Sequence, residues 1–303
     1  MAYYLRLGTD GSNLGIWKID HTAAFRIDVG DPKNALASYF EALPGGTPWD
    51  TMQAHTPWLD AGGRALFHET TLSPGQYYPR MARPNAGLPS EFPPWHPGAR
   101  HWTDAIAIAR GQLTALTRQL DRICQTVQPT RKTFGAFGHD IRNLLILACT
   151  EAESHWRSVL AANGTKAARL TTHDYVKLRV PMKLDEYAVT FPNYPWLDEI
   201  RPYKGWGSTG SPTQDLKWYD AYNAAKHSRE DEFERATLGS TFEAVTACVV
   251  MMAAQFGLSG GLGQRTELES FFHFSALPAW SPSEVYIYPY GASQSWSPVP
   301  FKF

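Results

Sequence analysis

Ten residues, 220–229, read DAYNAAKHSR and bring together a carboxylate, an amide, an ammonium, an imidazole and a guanidinium. If this segment is helical, about 100° per residue puts Leu216, Tyr219, Asp220, Asn223, His227 and Glu230 on one face. Trp218, Tyr222, Ala225 and Arg229 fall roughly opposite, and Lys226 sits next to His227. Asp220, Asn223 and His227 then stack about one turn apart. An imidazole titrates near neutral pH, and a neighbouring carboxylate favours its charged form. Such a trio is suited to moving a proton, with His227 as the acid or base and Asn223 and Asp220 orienting it. The same trio also suits an internal network clamping one helix to its neighbours, because buried polar groups need hydrogen-bond partners. The residues alone leave both readings open. Arg142 and Glu153 form a second candidate pair. Their spacing is about three helical turns, too far for mutual contact, but either can reach across to Asp220 or His227 as an ion-pair partner.

The remaining chemistry-bearing patterns are weaker. GWGSTG at 205–210 matches a bare GxGxxG, but no strand leads into it and Pro212 follows at once. The glycines at 257–264 follow a helix instead of a strand, so neither stretch reads as a dinucleotide loop. His96 and His101 lack metal-ligand spacing and carboxylate neighbours. Walker and HExxH motifs are absent from the sequence, and no metal or other cofactor is expected. The tryptophans and tyrosines of 44–102 suit either base stacking or the core of a loop-rich region. Cys124, Cys149 and Cys248 sit in apolar contexts without CxxC spacing and read as reduced core thiols.

The elements that must position these groups divide the chain. Residues 1–100 read as an α/β or β-rich portion. Tyr3–Leu7 and Gly15–Asp20 flank the turn cluster GTDGSN as a hairpin, Phe25–Val29 is a third strand, and Lys33–Leu43 a short helix. Residues 44–100 are irregular, with a soft boundary at 99–101. Residues 101–260 carry the helical period, with helices expected at 102–128, 136–162, 212–229 and 240–256 and an insertion at 165–210. Asn163-Gly164 is a helix stop. Ser211-Pro212 reads as a helix start, and Ser240 with Glu243 as a capping box. Within the insertion, Thr172 is expected to cap a short helix and LDEYAVTF to form a strand. Residues 261–303 are a tail in which EVYIYPY is expected to return as a strand to the N-terminal sheet. The charges nearly cancel, 28 basic against 29 acidic, so no global field draws the chain to nucleic acid or anionic membrane. The start, MAYYLRLG, has no signal-peptide pattern, and the most apolar run, 244–254, is short of the ~20 residues of a membrane span. The expectation is a cytoplasmic protein without a membrane partner.

The string YNAAKHSRE, followed by FERATL and a long apolar helix, resembles HEPN-type helical proteins. GHDIRNLLILACTEAESHWRSVLAANG is similar to the second helix of bacterial HEPN-like proteins. The resemblance covers roughly 102–257. It implies a mainly α fold, a four-helix bundle that pairs as a homodimer, and a metal-independent RNase or RNA-binding role in bacterial toxin or phage-defence systems. The family signature is an arginine, four to six residues, then a histidine. Counting back from His227, the arginine slots hold Tyr222, Ala221 and Asp220. Lys226 and Arg229 are the nearest cations, and another helix or a second copy is the other source. The alternative is a non-catalytic helical scaffold for a protein partner.

Overall fold

The computed structural model describes residues 1–56, 63–86, 94–227, 231–264, 266–290 and 295–303, apart from the side chains of Gly63 and His227. The fold is mixed α/β with a helical part, against the mainly α expectation. It divides into two compact units: 1–77, 83–93 and 279–298 form the first, and 78–82, 94–278 and 299–303 the second. The expected boundary at 99–101 is therefore too simple. Part of the tail belongs to the first unit, and 261–278 belong to the second.

The first unit is built on strands β1 (Ala2–Leu7), β2 (Asn13–Ile19), β3 (Ala23–Arg26), β4 (Tyr39–Glu41) and β5 (Phe67–Glu69). They form one antiparallel sheet in the order β4-β3-β2-β1-β5. The expected hairpin is β1–β2, with Leu5 opposite Ile16. Strand alternation sends Trp17, Ile19, Phe40 and Phe67 to one face, where Met52 of helix α1 (Pro48–His55) covers them. Leu5, Leu7 and Ile16 go to the other face, under Val285 and Ile287. EVYIYPY thus lies across the sheet instead of extending it, bridging Asn85 through Tyr286. The short pairs β6 (Gln76–Tyr77) and β9 (Ser297–Pro298) run parallel.

Two expectations fail here for local reasons. The helix at 33–43 is a turn in which Asp31 accepts from the Lys33 amide, and the chain then enters β4. Tyr39 and Phe40 gain more by pairing with β3, where Tyr39 meets the Phe25 ring, than a short helix offers. The stretch expected to be irregular contains α1. Thr47 and Asp50 form a capping box there, with Pro48 at the first helical position.

The second unit contains α2 (Thr103–Thr126), α3 (His139–Ala162), α4 (Thr172–Tyr175), α5 (Arg179–Met182), strand β7 (Ala188–Thr190), α6 (Pro212–Asp215), α7 (Lys217–His227), α8 (Leu238–Phe256), α9 (Glu267–Phe271) and strand β8 (His273–Ala276). Helices α2 and α3 match their expected spans, and Asn163 ends α3 with Gly164 at φ 94. The central element is α8, which packs against α2, α3 and α7. By length and composition it could cross a membrane, alone among the described helices, but 83% of that window is buried inside the protein. It ends at Gly257, φ 78, where a Cβ would collide with the carbonyl of Pro94. All three cysteines are buried and free.

The helix expected at 212–229 is broken. The Asp215 carboxylate turns back to accept from the Gly207 amide (2.7 Å) and the Thr209 hydroxyl (2.5 Å). Leu216 is left extended between α6 and α7. Ser211 precedes α6 but makes no side-chain cap. The capping box at Ser240 and Glu243 is also displaced: Thr237 caps α8, accepting from the Ser240 amide at 3.2 Å. In the same way Thr171, with Asp174, caps α4 in place of Thr172. The expected strand in 184–191 is β7, paired with β8. The segment 165–210 packs onto the helices, with Tyr175, Tyr203 and Trp206 around Trp156 of α3. Burying such rings is a large apolar contribution, at ~25 cal/mol per Å².

Candidate functional site

Helix α7 turns its heavier apolar face inward. Trp218, Ala221, Tyr222 and Ala225 are buried, at i, i+3, i+4 and i+7, with Tyr219 beside them. The face carrying Asp220 and Asn223 is the half-exposed edge. Trp218 and Tyr222 have more apolar area to bury than the polar trio has, so packing against α3 and α8 selects their side. The Trp218 indole still finds a partner, donating to the Pro202 carbonyl at 2.9 Å.

Along that edge Asp220 and Lys226 are already engaged. Asp220 accepts from Nη2 of Arg235, in the turn preceding α8, while Nη1 of the same arginine reaches Glu232 at 3.4 Å. This contact holds the Arg235 pKa above its ordinary value, chiefly through the hydrogen bond to Asp220. Arg142, from α3, donates through Nε (3.2 Å) and Nη2 (2.9 Å) to the carbonyl of Ala225. It thereby satisfies a free carbonyl in the last turn of α7, where a cation also suits the helix dipole. Glu153 accepts from the Tyr219 hydroxyl at 2.7 Å. Burial and that carboxylate together raise the Tyr219 phenol well above its usual range. Lys226 donates to the Tyr222 hydroxyl at 2.8 Å, and this bond raises its pKa. Asn223 is half-buried. His227 closes α7, but its side chain, together with Arg229 and Glu230, lies outside the described residues.

Of the groups singled out in the sequence, Asp220, Lys226, Arg142 and Glu153 therefore meet α7 or its neighbours, though not one another. Neither Arg142 nor Glu153 makes its hydrogen bond to Asp220. The residue missed was Arg235. It stands in the string FERATL, fifteen positions beyond Asp220, where only the chain reversal between α7 and α8 brings it back.

A second constellation escaped sequence reading altogether. Arg80, in the left-handed region at φ 54, donates from Nε to Gln255 Oε1 (2.8 Å). Gln255 in turn pairs through Nε2 with His155 Nδ1 (3.0 Å). His155 Nε2 lies 3.4 Å from Glu151 Oε1, one turn earlier on α3. The Arg80 amide donates to His96 Nε2 at 2.9 Å, so the histidine weighed as a metal ligand has this nitrogen turned to the backbone. The Arg80 guanidinium lies over the rings of Trp102 and Phe256. Burial, aided by Arg80, pushes His155 down to about 3, and burial likewise takes His96 to about 4. Both are neutral near pH 7, so this network fixes structure and offers no proton there. The i, i+4 spacing of Glu151 and His155 was the only visible signal. Among the described residues no group of three or more His, Cys, Asp or Glu is placed to hold a metal ion.

Comparison with protein-family models, curated proteins and solved structures finds no match to this chain.

Proposed function

We propose that the second unit is a HEPN-like RNA-binding module that does not cleave its ligand. One observation carries this reading. Three described cations beside α7 are tied to protein acceptors: Arg235 to Asp220, Arg142 to the Ala225 carbonyl, and Lys226 to the Tyr222 hydroxyl. Phosphodiester cleavage needs a cation aimed at the charge that develops on phosphate. Here Arg142 ties α7 to α3, Arg235 ties it to the turn before α8, and Lys226 bonds within α7 itself. The proposed assembly is a homodimer of the 33.9 kDa chain, expected as twice that mass in light scattering at micromolar concentration.

The test is incubation with a mixed RNA pool in metal-free buffer, read on a native gel and a denaturing gel. The expected result is retarded, intact RNA. Cleavage that disappears in His227→Ala, with the fold intact, would overturn the reading in favour of a metal-independent RNase.

A further inference from the structure

We propose that the groove between the second half of α2 and the start of α3 binds single-stranded RNA, with phosphates on Arg118 and Arg122 and a base on a ledge of exposed rings. The proposal deepens the RNA-binding reading above and rests on it. The groove encloses about 780 Å³, and its α2 wall carries Arg118, Gln119 and Arg122. The two arginines are one turn apart on the same helix face, about 6 Å along the axis, on the scale of one nucleotide step.

Both guanidinium groups are accessible to a ligand. Arg122 has no hydrogen-bond or ion-pair partner among the described residues, and it is exposed. Arg118 pairs with Glu267 (Nε–Oε1 3.0 Å), yet its side chain is 71% exposed. An ion pair so open to solvent is weak and yields readily to a phosphate. Arg142 beside α7, by contrast, is half-buried and gives two donors to the Ala225 carbonyl.

The opposite wall explains the choice of ligand. Phe137 is 52% exposed at the rim, a costly position for a large ring unless it is used. Its ring and that of His139 both lean on Phe233, with centroids 6.1 and 5.0 Å from it. Rings set against a common neighbour are held in place, and a π-face at the edge of a cationic groove suits a nucleobase. A duplex hides its base faces in the stack, so a single strand is the form that fits. Gly138, the N-cap of α3, has no side chain to accept from the first amides of that helix, which leaves them for the ligand. Asp140 also lines the groove and repels phosphate, which confines the phosphate track to the α2 side. An acidic peptide could use the arginines, but it has no use for the ring ledge.

The experiment is fluorescence anisotropy with a labelled 12-nucleotide oligouridine in metal-free buffer over a range of salt. The full chain is compared with Arg118→Gln/Arg122→Glu and with Phe137→Ala, each checked by circular dichroism. The charge variant is expected to bind at least tenfold more weakly and to lower the salt slope of log K by about 1.4, as for two lost phosphate contacts. Phe137→Ala is expected to weaken binding about five- to hundredfold. A duplex of equal length should bind less well than the single strand. Wild-type protein that fails to bind RNA at low salt overturns this proposal and the RNA-binding reading together. Binding unchanged in both variants overturns the groove alone. Poly-glutamate competing as well as RNA also overturns it, and would assign the groove to an acidic protein.

Discussion

The edge of α7 and the network around Arg80 use nearly the same chemical groups to opposite ends. At α7, Asp220 and Arg235 pair with side chains 29% and 41% exposed, and water shares every charge. Around Arg80, the arginine, His155 and Gln255 are 7%, 2% and 0% exposed, and no solvent is left to replace a lost partner. A guanidinium and a carboxyl group near a histidine therefore do not by themselves mark a reactive site. Burial decides whether such groups are dispensable or essential to the fold, because an unmet polar group costs far more inside than at the surface.

The sharpest way to break this comparison is to remove one arginine from each region. Arg80→Ala strips Gln255 of its donor and leaves the field at Glu151 uncompensated, and should cost ~3–5 kcal/mol in urea unfolding. Arg235→Ala should cost ~1 kcal/mol or less. Equal losses in the two variants would abolish the distinction.

Acid titration sharpens it further. The folded-state pKa of His155 is about 3 against 6.5 for an ordinary histidine, so between those values the unfolded chain binds more protons. Its contribution is fully present above pH 6.5 and is lost as the pH falls through that window. His96, at about 4, acts in the same direction. Glu151 opposes both: burial raises its pKa, so the folded state holds that proton more readily just above the usual carboxylate range. Glu243, also raised by burial, opposes them in the same way, but the unfolded chain takes up both histidine protons across most of this window, so the urea midpoint should fall from pH 7 to pH 4. The fall should be shallower in His155→Gln, measured from that variant's own midpoint at pH 7. Equal slopes would show that the buried histidine is not the titrating group.

Between the extremes lies Tyr219. Tyr219→Phe removes the partner of Glu153 at a half-buried position and should cost ~1–2 kcal/mol by thermal unfolding. The smallest effect is expected from Asp220→Asn, within ~1 kcal/mol of wild type and screened further by salt. A loss there as large as that of Tyr219→Phe would mean that the α7 edge is a structural clamp of the buried kind.

Much of the local structure was legible in the sequence. The β1–β2 hairpin follows from alternation around a turn cluster, and α2 and α3 follow from apolar stripes with Asn163-Gly164 as a stop. These signals lie within single segments and need no distant partner. Tertiary structure alone decided three other matters. Which face of α7 is buried depended on how much aromatic area Trp218 and Tyr222 could place against α3 and α8, not on where the polar residues lined up. The break at Leu216 came from Asp215 reaching back to Gly207 and Thr209, a competition between side chain and helix that periodicity does not register. Arg235 at Asp220, and Arg80 at Gln255 from 175 positions away, are pairings that only the folded path of the chain creates. Periodicity records how a segment divides between water and protein; which residue waits on the protein side is set by the three-dimensional packing.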